Sequence, residues 1–188
     1  MKSELLIQIT KEIETPEKTV QLEEYVTDLF VYTKQKDNTI LYRKDKDELY
    51  TIDETLKILT PISLEVQKQN VAQFKKLISK LDTREEKKEK ENRKILIEGK
   101  GNLVVLSGEV NISKFPILEN SANLNAYKFS CKSSVIDIDI NPNEILDYSS
   151  VIINVQGKKI INKTVVKEIK IIEEDINRYD YVLDYSIN

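Results

Sequence analysis

The residues of this sequence whose types and spacing could do chemistry are acids. In the stretch from Asp137 to Glu144, oxygen-bearing side chains recur at alternate positions: Asp137, Asp139, Asn141 and Asn143. A turn that presents hard oxygens in this way is what Ca²⁺ requires. Two positions depart from a calcium loop. Pro142 stands where such a loop needs glycine, and Tyr148 stands where it needs a bidentate glutamate. Ile136, Ile138 and Ile140 alternate with Asp137 and Asp139, and a strand with one wet face accounts for that alternation fully. Calcium is therefore a minor reading of these four residues. The same carboxylates, about 7 Å apart on one strand face, could also share acid–base work, as could Glu173-Glu174-Asp175. The aromatic and hydroxyl-rich surroundings of a sugar cleft are missing around both, so a carboxylate-only hydrolase ranks last among the functions considered.

Other chemistry is excluded by composition. The chain has 188 residues with no histidine, no tryptophan, one cysteine and four glycines. Without imidazole there is no Ser–His–Asp or Cys–His relay and no zinc site built on histidine. Cys131, flanked by Phe129, Ser130 and Lys132, reads as a small buried apolar residue in a strand. Gly99-Lys100-Gly101 lacks the spacing of a phosphate loop and runs into a strand. Asn111-Ile112-Ser113 and Asn162-Lys163-Thr164 match the glycosylation acceptor pattern by accident of an Asn-rich chain. The expectation is no cofactor, no metal and no small-molecule substrate.

Charge points the same way. Residues 1–94 carry 19 basic and 19 acidic side chains, and residues 95–188 carry 10 and 13. No basic stripe forms, and with only Arg43, Arg84, Arg93 and Arg178 as arginines the positive charge consists of lysine point charges; nucleic-acid binding is not expected. Leu5-Leu6-Ile7 is too short for a signal peptide and no stretch approaches the length of a membrane span. Cytoplasmic synthesis without membrane insertion is expected, followed by incorporation into a particle.

The elements that would position these residues are read from periodicity. Leu5, Ile7, Ile9 and Ile13 mark a strand. Thr15-Pro16 followed by Leu22, Tyr25, Val26, Leu29 and Phe30 reads as an N-capped helix over 17–29. Three short strands follow, at 31–33, 39–42 and 49–52, with turns at 36–38 and 44–47, and Tyr32, Tyr42 and Tyr50 are expected to meet across them. Asn70 to Gln73 resembles a capping box, with Val71, Phe74, Leu77, Ile78 and Leu81 as the apolar stripe of a helix. Residues 82–94 have no apolar side chain and many charges, which reads as a solvated helix connecting two modules and reinforced by Glu86–Lys90 and Glu89–Arg93 pairs. From Ile95 onward seven or eight short strands are expected, with a hairpin turn at Gln156-Gly157.

The expected fold is therefore α+β: a mixed N-terminal module over 1–69, a helix and charged connector over 70–94, and an antiparallel β-sandwich or small barrel over 95–188. The expected function is a non-catalytic assembly subunit of a larger particle, such as a phage-like tail, capsid or surface structure, with other subunits as its protein partners. A monomeric adaptor for one protein or peptide is the alternative. The contact residues would lie on the long β-branched strand, at Thr164, Val166, Glu168 and Lys170, and on the tyrosine alternation at Tyr179 and Tyr181, where main-chain edges could pair with a neighbour.

Overall fold

Period-two alternation governs most of the described residues. The structure is a computed structural model that describes residues 6–27, 29–36, 38–87, 92–114, 127, 138–141, 144–172 and 184–188. Its elements in chain order are β1 (Leu6–Glu14), β2 (Thr19–Val26), β3 (Phe30–Lys34), β4 (Thr39–Arg43), β5 (Glu48–Asp53), β6 (Ile58–Ile62), α1 (Leu64–Leu77), β7 (Lys80–Lys87), β8 (Arg93–Lys100), β9 (Val104–Lys114), β10 (Glu144–Val155), β11 (Lys158–Ile172) and β12 (Ser186–Ile187). All twelve strands join one sheet in the order β12-β6-β5-β4-β3-β2-β1-β11-β10-β9-β8-β7. Two antiparallel meanders, β1 to β6 and β7 to β11, meet where β1 pairs antiparallel with β11. Only the two-residue β12 runs parallel to its neighbour, β6.

This corrects the α+β expectation: the fold is mainly β, with one helix among the described residues and no charged connecting helix. The segment expected as a helix over 17–29 is β2, whose residues pair one by one with β1 from Ile7↔Val26 to Glu14↔Thr19. Val20, Leu22, Glu24 and Val26 satisfy period two as well as the helical stripe did, and a waiting partner strand decides between them. The cap chemistry at Thr15 is present without a helix. Thr15 Oγ1 accepts from the Lys18 backbone N–H at 3.2 Å, the bond an N-cap makes, and it closes the β1–β2 turn.

The helix has Ser63 as its N-cap, seven residues before the expected cap, so Asn70 lies inside it. Phe74 and the C-cap Ile78 pack on the sheet with Ile95, Ile97, Leu106, Val110 and Ile112. Leu81, the last residue of the expected stripe, is in β7 instead. The charged run forms the hairpin of β7 and β8, paired from Lys80↔Lys100 to Lys87↔Arg93. A helix there would bury nothing, whereas a strand gains a ladder against β8, whose Ile95 and Ile97 already face the core.

The C-terminal strands likewise continue the same sheet; among the described residues there is no second sheet to make a sandwich. The turn at Gln156-Gly157 is as read. Both residues have positive φ (50° and 86°) and Val155 pairs with Lys158. The tyrosine row is not. Ladder registers put Tyr32 and Tyr50 on one face and Tyr42 on the other, and Tyr32 meets Tyr25 edge-on at 5.9 Å.

Registers propagated across the sheet define two faces. The front face carries Ile7, Ile9, Val26, Val31 and Tyr42, with Tyr127 and Ile140 laid against them, and continues into Ile95, Ile97, Leu106 and Val110 under α1. Ile138 and Leu146 pack against both groups and join them. On the back face the first meander has its own core of Phe30, Leu41, Tyr50 and Leu59, with Tyr185 against it. On the back face of the second meander Leu96, Glu98, Ser107, Ile152, Ile161 and Lys163 are half-buried or exposed, while Ile145, fully buried near the start of β10, packs with the Ile7 and Ile9 core.

Candidate functional site

An arginine organises Glu144 and the described residues just before it. Glu144 begins β10 and its side chain is 6 % exposed. Arg93, at the start of β8, reaches across β9 and donates through both Nε and Nη2 to the Glu144 carboxylate. The same Nη2 donates to the Asp139 carbonyl at 2.8 Å. Asn141 adds its backbone N–H and its Nδ2, each 3.0 Å from a Glu144 oxygen. Burial alone would raise the Glu144 pKa; hydrogen bonds from Arg93 and Asn141 outweigh it and hold the carboxyl below the usual glutamate range. These contacts pin the 138–141 loop to the sheet, so that Ile140 enters the front core at 2 % exposure.

Of the four oxygen residues considered for calcium, Asp139 lends this node its carbonyl and Asn141 its donors, while Asp137 and Asn143 lie outside the described residues. Residues 138–140 are not a strand, which corrects the amphipathic-strand reading of that stretch. Cys131, the acids Glu173 to Asp175, and Tyr179 and Tyr181 also lie outside the described residues. Among the described residues no group of three or more acids or cysteines is placed to hold a metal ion.

The expected contact strand is in the interior of the sheet. β11 pairs with β1 through residues 163–172 and with β10 through 158–165, so 163–165 are paired on both sides and 166–172 on the β1 side. Thr164 and Val166 are half-buried on the front face, where Val166 packs against the core. Glu168 and Lys170 are exposed on the back and lie 3.4 Å from each other. A bulge between Thr10 and Lys11 interrupts the β1–β11 ladder beside them.

The ends of the sheet are elsewhere. At one end of the sheet, β6 is covered only over Ile58 and Leu59 by β12, and Pro61 removes a donor from the remainder. At the other end is β7, eight residues long, with β8 on one side and, among the described residues, no strand on the other. Lys80, Asp82, Arg84 and Glu86 alternate along its back face, and Lys80 through Glu85 are exposed. Within the strand Lys80 lies 3.2 Å from Asp82 and Arg84 lies 2.7 Å from Glu86. Sequence reasoning missed this edge because it counted the charges at helical spacing. The signal was present: strict +, −, +, − at every second residue from 80 to 86 is a strand pattern.

No known protein family's sequence profile matches this chain, and no curated protein is significantly similar to it. No helix among the described residues is long and apolar enough to cross a membrane.

Proposed function

We propose that the protein is a non-catalytic assembly subunit that works through protein–protein contacts at an open sheet edge. The observation that carries this reading is β7: a full-length terminal strand whose outer N–H and C=O groups have no partner strand among the described residues. Extended edges of this kind are the template onto which another strand adds. The side chains best equipped for chemistry support the same reading, because Arg93, Glu144 and Asn141 spend their polar atoms on holding a loop. We place the contact on β7, the terminal strand, rather than on β11, which pairs with β1 through residues 163–172.

The test is the mass of the purified chain by sedimentation velocity from micromolar to millimolar concentration. A concentration-dependent rise above the 21.8 kDa monomer is expected. A monomer throughout favours the adaptor, a module that takes one strand from a different protein.

A further inference from the structure

We propose that the partner of β7 is β7 of a second copy, joined antiparallel across a two-fold axis at Thr83 so that the two sheets become one. This rests on the assembly reading and names its interface. The argument is register arithmetic. In an antiparallel pair, residues directly opposite share a face. If Thr83 faces Thr83 of the second copy, Lys80 faces Glu86 and Asp82 faces Arg84, and the two-fold repeats both pairs. Four opposite-charge pairs then line the back face, and the threonine pair is central on the front face; both are types of contact that stabilise sheets. On the front face Leu81, 38 % exposed, lies against the aliphatic stem of Glu85.

Neighbouring registers are rejected by the same charges. A slip of two residues either way sets Arg84 against Arg84 and Asp82 against Glu86, or Asp82 against Asp82 and Lys80 against Arg84. An edge whose charges merely blocked pairing would gain nothing from being self-complementary in one register.

The hairpin itself supplies a second, independent observation. β7 and β8 place like charges directly opposite each other, Lys80 against Lys100 and Asp82 against Glu98, an arrangement that destabilises a lone pair of strands. Self-pairing puts Glu86 of the second copy on the other side of Lys80, and its Arg84 on the other side of Asp82. Each like-charge row thus receives its counter-charge from the partner. Among the described residues the monomer offers these rows the in-strand ion pairs Lys80–Asp82 and Arg84–Glu86, whose side chains are 44–76 % exposed and well screened.

The experiment is sedimentation velocity at low and high salt on four proteins: the wild type, Asp82→Arg, Arg84→Asp, and the exchange Asp82→Arg/Arg84→Asp, each checked for native circular dichroism. The wild type should form a dimer of twice 21.8 kDa that weakens with salt. Each single reversal turns two attractive pairs into two repulsive ones and should weaken the dimer about tenfold to a hundredfold. The exchange restores opposite charges across the axis and should recover most of that loss, which damage to folding would not do. An oligomer insensitive to the single reversals overturns the β7 interface and leaves the assembly reading standing. Reversals that weaken the oligomer without recovery in the exchange also overturn it. A wild type that stays monomeric overturns both.

Discussion

The two meanders of this sheet are built from the same kind of strand and buried in different ways. In the first, consecutive residues such as Phe30 and Val31, or Leu41 and Tyr42, are buried on opposite faces, because both faces carry a core. In the second, burial alternates along β8, as in Ile95, Ile97 and Gly99, on the face that packs with α1. A strand covered on both faces reads as a short continuous apolar run, and one covered on a single face reads as alternation. The difference also separates tasks. The first meander is fixed by packing, whereas the second keeps a wet face and a charged free edge, the features an interaction surface needs.

Truncations on the back face should show the contrast most strongly. Phe30→Ala, at a fully buried position, is expected to cost about 3–5 kcal/mol in urea unfolding, and Leu41→Ala about 2–5. Ile161→Ala, on the same face of the second meander and 38 % exposed, should cost under about 1 kcal/mol. Equal losses at the two sites would mean that the second meander has a hidden back-face core.

Next in size is the Arg93–Glu144 node. Arg93→Ala strands a buried carboxylate and should cost about 3 kcal/mol near neutral pH. Its pH dependence has a definite sign. The folded-state pKa of Glu144 is lowered, so its contribution is complete above the ordinary glutamate range of about 4.3 and is lost as pH falls through the folded value. Arg93→Ala should flatten stability against pH in that acid window. An unchanged slope would show that another acid sets it.

Two glycines give smaller effects. A Cβ at Gly101 would stand 1.8 Å from the Leu77 carbonyl oxygen, so Gly101→Ala must push the end of α1 off the β8–β9 turn, at about 1–3 kcal/mol in thermal melts. Gly157, at φ +86° with open space around it, should lose only about 1 kcal/mol on substitution by alanine. A reversed order would mean that turn strain outweighs helix docking.

Strands with a single periodicity were legible in the sequence: β1, the β3–β4–β5 hairpins and the Gln156-Gly157 turn follow from alternation and turn residues. Where two periodicities coexist, the sequence does not choose. Leu22, Tyr25 and Val26 fit a helix, Val20, Leu22 and Val26 fit a strand, and the ladder to β1 settles it, a contact no local window contains. The same holds for 82–94, where good helix formers became a hairpin because β8 had a core to join. The sequence groups Asp139 and Asn141 with Asp137 and Asn143 as oxygen-bearing residues, and gives Glu144, at the end of that stretch, no role. The organiser of Glu144, Arg93, lies 51 residues from it in sequence and could not be seen from the motif. The working edge was hidden for a further reason: which strand is last in a sheet is a property of topology.

Amide hydrogen exchange on dilute and concentrated protein addresses the central claim most directly. The account predicts that raising concentration slows exchange in residues 80–87 while residues 163–165 of β11, paired on both sides, are unaffected. Identical exchange of 80–87 at both concentrations, or new protection only at other sites, would contradict it.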